Sequence, residues 1–112
     1  MDDDRLPTHL WVTANLRRCN DANVPAMLVR RGEKTGGLVM LKLNRLDGTS
    51  EVLVQQRNID GVLGWMKALG PEPVPEAEAE AYVERASSRD PDLWVVEIEH
   101  REGWHPFEGP VF

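Results

Sequence analysis

The stretch LVMLKLNR at residues 38–45 is the part of the chain that most clearly specifies the fold. Val39, Leu41 and Leu43 recur at every second position, which is the period of a β-strand, so their side chains share one face. The opposite face begins apolar and ends with a lysine and an asparagine. A strand that is buried on one side and half covered on the other, with strand candidates before and after it, is predicted to lie at the centre of a sheet.

The segments on either side of this strand also alternate as strands do. Residues 26–31 precede it across a loop with three glycines at 32–37, and residues 51–57 follow it across an Asp-Gly turn at 46–49. The glycine loop is interpreted as a hairpin, because it leads into a strand and not into a helix as a phosphate-binding loop does. The three strands are therefore predicted to form an antiparallel meander.

A fourth strand is predicted at residues 93–100. Trp94, Val96 and Ile98 share the face that we assign to the core, whereas the opposite face begins apolar and ends with two glutamates. The place of this strand in the sheet stays open. It either completes the sheet beside the central strand's neighbours, or lies at an edge where it could pair with a second copy of the chain.

Three helices are predicted from apolar residues that recur three and four positions apart. The first runs from its N-cap Thr8 to about residue 20 or 22, the second from residue 58 or 60 to Gly70, and the third from Pro75 to about residue 89. The expected fold is therefore α+β, with the order α-β-β-β-α-α-β. The helices are expected to pack on one face of a mostly antiparallel four-stranded sheet.

Residues 1–103 are predicted to form a single α+β domain, with an apolar carboxy-terminal tail at residues 104–112. The tail contains glycine and prolines and has no periodicity, yet it carries several large apolar side chains. It is expected either to pack back over the sheet or to remain exposed and bind a partner. The candidate partner-binding residues are Trp104, Phe107, Val111 and Phe112.

Several features predict a cytoplasmic protein without a membrane segment. There is no run of about 18 apolar residues, and the acidic start of the chain is the reverse of a signal peptide's basic head. Cys19 is the only cysteine, so the chain cannot form an internal disulfide. It lies on the apolar stripe of the first helix with no His or acidic partner placed beside it, and it is expected to be a buried thiol and not a nucleophile.

The net charge of −6 argues against general affinity for nucleic acid, but the charge is unevenly distributed. Residues 1–57 contain nine Lys or Arg and seven Asp or Glu, whereas residues 58–112 contain four and twelve. The basic residues of the meander could bind an anion on one sheet face, or could form an ordinary solvated face. They are Arg30, Arg31, Lys42, Arg45 and Arg57. Aromatic residues on which single-stranded nucleic acid stacks are missing from these strands.

Asp92, Glu97 and Glu99 are the sharpest chemical signal in the chain. A Pro-Asp pair before an acidic strand resembles divalent-metal nucleases, in which carboxylates bind Mg²⁺. Those sites also have a lysine one spacer after the acidic residue, and here Glu99 or Arg101 occupies that position. A guanidinium cannot be deprotonated to act as a base. Metal-dependent hydrolysis is therefore kept only as an alternative to a structural or solvated role.

Three segments carry a resemblance to a known family. They are residues 10–19 (LWVTANLRRC), residues 42–48 (KLNRLDG) and residues 90–99 (DPDLWVVEIE). Together they resemble a family of short alphaproteobacterial proteins, domain of unknown function 1491, over nearly the whole chain. The resemblance implies a bacterial cytosolic protein and transfers no catalytic residue.

The function that these observations favour is a small non-enzymatic module that binds a protein partner or a second copy of itself. Four tryptophans, the apolar tail and a sheet with an unpaired outer strand are the reasons. The alternatives are anion or nucleic-acid binding through the arginine-rich face, and metal-dependent hydrolysis through the acidic strand. No cofactor is expected, because no nucleotide, metal or nucleophile motif is present.

Overall fold

The computed structural model describes residues 6–112, so the acidic tip at residues 2–4 lies outside the described part. Within that part the chain forms two helices and six strands. In chain order they are α1 (Thr8–Asp21), β1 (Ala26–Arg30), β2 (Val39–Asn44), β3 (Thr49–Arg57), β4 (Leu63–Lys67), β5 (Val74–Pro75), α2 (Glu76–Arg89) and β6 (Trp94–Glu99). The α+β class predicted from the sequence is confirmed.

All six described strands belong to one sheet, whose main path runs β1-β6-β2-β3-β4. β2 is central, as its residue pattern predicts. It pairs with β3 in antiparallel orientation and with β6 in parallel orientation, so that Met40 lies between Val54 and Val95. β5 is a two-residue strand that pairs with the start of β3. The sheet is therefore mixed, and its last strand in sequence lies in its interior.

The glycine-rich loop that joins β1 to β2 is not a hairpin, because β6 lies between the two strands and pairs with both. The loop instead crosses the start of β6. A Cβ atom on Gly32 or Gly37 would lie 2.2 or 2.0 Å from the carbonyl oxygen of Asp92, so only glycine fits this crossing. Closely spaced glycines suit a tight turn and a close backbone crossing equally well. The predicted meander is wrong at β1 for this reason.

The helix predicted between residues 58 and 70 is also wrong, because this segment contains strand β4. Its apolar residues recur at helical spacing, but two glycines interrupt them. Gly61 adopts a φ of +83° in the turn before β4. A Cβ on Gly64 would lie 2.4 Å from the carbonyl oxygen of Pro110. Pairing with β3 leaves Trp65 with 0% exposure in the core, and this tertiary burial outweighs the helical spacing.

The two helices pack on opposite faces of the sheet and not on one face as predicted. Val12 and Cys19 of α1 belong to the same core cluster as Leu41, whereas Val83 of α2 belongs to the cluster that contains Met40. Neighbouring residues of a strand point to opposite faces, so both faces of β2 are buried and each needs its own helix. Neither described helix is long and apolar enough to cross a membrane.

Residues 104–112 pack back onto the sheet, which is one of the two arrangements that the sequence leaves open. Phe107 is 4% exposed, and its ring lies 5.1 Å from that of Trp11 in an edge-to-face contact. Trp65 donates its indole N–H to the carbonyl oxygen of Glu108 at 3.0 Å. The segment therefore fills the core beside α1 and covers β4.

Candidate interaction site

The two edges of the sheet differ in whether the chain itself covers them. At the β4 edge, the backbone N–H of Trp65 donates to the carbonyl oxygen of Pro110 at 2.8 Å, and its carbonyl oxygen accepts the N–H of Phe112 at 2.8 Å. Val111 forms a parallel bridge with Trp65 between these bonds. Because an exposed edge pairs readily with other chains, the tail protects this side of the sheet.

The edge formed by β1 has no such cover within residues 6–112. β1 pairs with β6 on its inner side, and no other described strand or bridge pairs with it. Ala26 and Leu28 pack against the core, whereas Met27 and Val29 are 60% and 49% exposed. An uncovered strand edge with exposed apolar side chains is a typical place for another strand to add. We call it the β1 edge.

The two ends of the β1 edge carry opposite charges. Glu97 and Glu99 of β6 lie beside its start, and together with Met27 they line a small groove. Arg30 and Arg31 lie at its other end. A strand with an acidic start and a basic end is complementary to an antiparallel copy of itself.

β1 is also short and irregular. It has five residues, and its register with β6 shifts between Leu28 and Arg30, which leaves Val29 as the extra residue of a β-bulge. Short edge strands and bulges restrict how far a second strand can pair. The β1 edge is therefore better suited to one partner strand than to unlimited growth of the sheet.

A cluster of charges on the face covered by α2 is the other chemically distinctive feature. Lys42 is 2% exposed, and its ammonium lies 2.8 Å from Glu80, 3.1 Å from Glu76 and 3.6 Å from Glu97. Burial by itself lowers the pKa of Lys42, but its hydrogen bonds to Glu80 and Glu76 and the charge of Glu97 raise the pKa above its ordinary value. A nucleophilic lysine needs a lowered pKa. The raised pKa of Lys42 does not suit that role. Its ion pairs instead connect β2 with β6 and α2.

The five basic residues of the predicted anion-binding face are dispersed. Lys42 lies under α2 as part of the cluster just described. The arginines have separate partners: Arg30 donates to the carbonyl oxygens of Pro91 and Leu93, Arg31 lies over the ring of Trp94, Arg45 donates to Glu51, and Arg57 donates to the carbonyl oxygen of Gly61. The structure thus does not bring these residues together on one sheet face.

The three carboxylates of the predicted metal site are not brought together at one place. Glu97 and Glu99 line the groove beside Met27, and Glu97 also lies 3.6 Å from the ammonium of Lys42. Asp92 lies two residues before the start of β6, whereas Glu99 is the last residue of β6, and the backbone carbonyl of Asp92 accepts the N–H of Glu33 at 3.0 Å. Within residues 6–112, no group of three or more His, Cys, Asp or Glu is placed to hold a metal ion.

The four predicted partner-binding residues of the tail have different environments. Phe107 lies in the core, so it is not part of a partner-binding surface. Val111 and Phe112 are about half exposed but belong to the segment that covers β4. Trp104 is 39% exposed and borders an open groove beside Arg18 of α1. The tail is therefore mainly a structural cover and not a continuous exposed segment.

Cys19 is a buried thiol, as predicted from its position on the apolar stripe of α1. It is 0% exposed, and burial raises its pKa. A raised pKa disfavours the thiolate, which is the reactive form of cysteine.

The sequence contains part of the signal for the β1 edge. Its alternation places Met27 and Val29 on the face opposite Ala26 and Leu28, but both faces are apolar, which favours burial of both. Exposure of one face depends on β1 being an edge strand. That position becomes apparent only when β6 is known to lie between β1 and β2.

Comparison with known proteins identifies relatives over almost the whole chain. The family model for "Protein of unknown function (DUF1491)" matches residues 6–108. The crystal structure of a DUF1491 family protein from Caulobacter crescentus is 37% identical, with a TM-score of 0.85 over 96% of this chain and 100% of that chain. A solution structure of a protein from A. tumefaciens is 26% identical, with a TM-score of 0.71 over 85% of this chain and 86% of that chain. No curated protein matches the chain.

Proposed function

This chain belongs to the DUF1491 family of proteins of unknown function, and from its own sheet we propose that it is a small, non-enzymatic cytoplasmic module that self-associates. Two copies pair their β1 strands in antiparallel orientation about a two-fold axis, which joins two sheets into one. The observation that carries this proposal is the uncovered β1 edge, where Met27 and Val29 are exposed.

The exposed apolar side chains supply favourable free energy for this pairing. In an antiparallel pair centred on Leu28, Met27 of each copy lies opposite Val29 of the other, so that the two side chains cover each other. Complete burial of such a side chain is worth about 1.5–3 kcal/mol, and because each is already about half buried, each contributes about 1 kcal/mol. Backbone hydrogen bonds between the strands add affinity and set the register.

The charges at the ends of β1 favour the antiparallel orientation. Arg30 and Arg31 of one copy come to lie beside Glu97 and Glu99 of the other, and the two-fold axis repeats this attraction at the second end. Parallel pairing would instead place like charges next to each other. The charge pattern therefore supports a contact between identical surfaces.

A two-fold pair of this kind is closed. The contact uses the same surface of both copies, so it leaves no open β1 edge for a third, and the tail covers the β4 edge of each copy. Pairing through five residues with a bulge buries a small area. We therefore expect a reversible dimer whose population depends on protein concentration.

The cytoplasmic location is supported by the state of the single cysteine. Cys19 is a free thiol in the core. Free thiols are typical of reducing compartments, whereas small secreted domains usually have disulfides. Fractionation of the producing bacterium, with detection by an antibody, tests this part of the proposal.

Sedimentation velocity of the full chain over a range of concentrations tests the self-association. We expect a monomer–dimer equilibrium, and we expect Met27→Lys or Val29→Lys to weaken dimerisation by at least about tenfold, because a charge on the edge opposes strand addition. Ile59→Lys is the matched control, since Ile59 is 100% exposed in the turn before β4. All three variants are expected to keep the wild-type midpoint of urea unfolding.

Two results would contradict the proposal. One is a protein that stays monomeric at the highest concentration that remains soluble. The other is a dimer that Ile59→Lys weakens as much as the variants at Met27 and Val29 do, because the contact would then not involve the β1 edge.

A further inference from the structure

A cavity of about 360 Å³ lies between the start of α1, the glycine loop before β2 and the end of β3. Gln55 and Arg57 of β3 supply polar groups to its lining, and Leu38 and Leu63 supply apolar surface. Small-molecule sites commonly combine a mostly apolar lining with a few convergent polar groups, in volumes of about 300–1,000 Å³. We call it the Gln55 cavity.

Gln55 is the buried polar residue of the cavity lining. It is 5% exposed, and its Oε1 accepts the backbone N–H of Val39 at 2.7 Å, which fixes the orientation of the amide. Among the hydrogen bonds formed by the described residues, none uses the Nε2 group of Gln55 as a donor. Among the described side chains, only Asn15 and Ser50 have a fully enclosed polar atom without a hydrogen-bond partner. The unpaired NH₂ group of Gln55 is therefore accessible to solvent. Its donors therefore remain available to a ligand in the cavity that Gln55 lines.

The charge of the lining favours an anion. Among residues 6–112, Arg57 is the charged residue that lines the Gln55 cavity, and no acidic residue of that range lines it. Arg57 donates from Nη1 to the carbonyl oxygen of Gly61 at 2.8 Å, which leaves other donors of its guanidinium for a ligand. Gln55 and Arg57 are two positions apart on β3, so they share one face at a spacing of about 7 Å.

The start of α1 does not provide the anion-binding groups. The backbone N–H groups of Thr8 and His9 donate to the carbonyl oxygens of Thr35 and Lys34. The hydroxyl of Thr8 lies within hydrogen-bond distance of the carbonyl oxygens of Thr35 and Gly37. The loop therefore already occupies these donors, and a ligand must be bound by the side chains of β3.

From this arrangement we infer that the Gln55 cavity binds a small organic carboxylate. The carboxylate accepts hydrogen bonds from Nε2 of Gln55 and from the guanidinium of Arg57, and the apolar part of the ligand packs against Leu38 and Leu63. The volume lies at the lower end of the range for small-molecule sites, so the ligand is small. This inference is independent of the proposed dimer, because the Gln55 cavity lies away from β1.

Titration of the ¹⁵N-labelled full chain with benzoate, followed by NMR, tests this inference. We expect saturable shifts of the Gln55 side-chain NH₂ and of the backbone amides of Gly36, Gly37 and Leu38, with a dissociation constant on the order of 1 mM or below. Benzamide, which has the same shape without the charge, is expected to bind at least about tenfold more weakly. The same titration with a short peptide that has a free carboxyl terminus shows whether the carboxylate is supplied by the end of a peptide chain or by a free acid.

Two variants change the proposed ligand-binding groups separately. Gln55→Glu keeps an oxygen for the N–H of Val39 but replaces the NH₂ group with a repulsive oxygen. Arg57→Gln removes the positive charge, and it provides the test if the Gln55→Glu variant does not fold. Each is expected to weaken benzoate binding at least about tenfold, whereas Arg17→Gln on the exposed side of α1 leaves it unchanged. Absence of shifts, equal binding of benzamide, or unchanged benzoate binding by a folded Arg57→Gln variant would overturn the inference.

Discussion

The ammonium of Lys42 lies 2.8 Å from the carboxylate of Glu80, and this contact joins the central strand of the sheet to α2. Glu76, one turn earlier on α2, and Glu97, on the neighbouring strand, complete a cluster in which one cation contacts three carboxylates. Lys42 is almost fully buried, whereas Glu76 and Glu80 are about half exposed. Water therefore reaches Glu76 and Glu80 in the folded protein, whereas the charge of Lys42 depends on these carboxylates for its hydrogen bonds.

Lys42→Met is expected to destabilise the protein. Removing one partner of a buried ion pair commonly costs about 3–5 kcal/mol, but two of the three carboxylates here remain accessible to water. We therefore expect a loss of about 2 kcal/mol in the free energy of unfolding, measured with urea. Lys67→Met is the control: Lys67 is 40% exposed and lies 3.9 Å from Glu51, so its replacement is expected to change stability by at most about 1 kcal/mol. Equal effects of the two substitutions would contradict the structural role of Lys42.

The same cluster predicts a loss of stability at alkaline pH. Because the pKa of Lys42 is raised on folding, chiefly by its hydrogen bonds to Glu80 and Glu76 against the effect of burial, its contribution is complete below the unfolded pKa of about 10.4. The contribution disappears as the pH rises through the higher folded value. The difference in unfolding free energy between wild type and Lys42→Met should therefore shrink above about pH 10.4. A constant difference across that range would show that the charge of Lys42 is not what stabilises the fold.

His105 predicts a second pH effect, on the acidic side. Its ring lies 5.9 Å from that of Trp65, and its Nδ1 accepts the N–H of Phe107 at 3.2 Å. Burial lowers the pKa of His105, and the negative charge of Glu51 offsets part of this effect. Since the unfolded chain then binds the proton more readily, stability is retained above about pH 6.5 and falls as the pH drops through the lower folded pKa.

The matching measurement compares wild type with His105→Gln. Urea unfolding between about pH 6.5 and pH 5 is expected to show a steeper loss of stability for wild type than for the variant. Parallel curves would mean that other groups cause the acid sensitivity.

A charge exchange tests the antiparallel geometry of the proposed dimer. Arg31→Glu and Glu99→Lys each place like charges at both ends of a β1 pair, so each variant alone is expected to dimerise about fivefold more weakly, which corresponds to about 1 kcal/mol. In an equimolar mixture, the pair that contains one copy of each variant has unlike charges at both ends. We expect the mixture to form clearly more dimer than either variant alone at the same total concentration, and to approach the wild-type level. A mixture as weak as its components would exclude antiparallel pairing through β1.

Much of the local structure could be predicted from sequence patterns. The apolar spacing and the flanking breakers of α1 and α2 locate both helices, and the alternation of β2 and β6 identifies two strands, of which β2 is predicted to be central. The stripe that includes Val12 and Cys19 is buried as predicted. These features depend on residues close together in sequence, so the period alone is sufficient to recognise them.

The segment that became β4 shows where periodicity is insufficient. Its apolar residues fit a helix, yet Ile59 is 100% exposed while Trp65 is fully buried against Phe107 and the tail. This strand forms because β3 on one side and residues 110–112 on the other pair with it. Pairing between distant segments leaves no period in the sequence of either one.

The candidate sites depend on the tertiary structure even more strongly. Local sequence patterns are sufficient to predict which side chains of β1 share a face, that β2 lies centrally, and that Cys19 is buried, because alternation and helical spacing are local properties. The insertion of β6 between β1 and β2 decided which strand became the uncovered edge, and the packing of α2 turned Lys42 from a presumed anion-binding residue into the centre of a carboxylate cluster. These outcomes depend on long-range strand pairing and on burial of both sheet faces, which are free energies of the whole domain and not of any one segment.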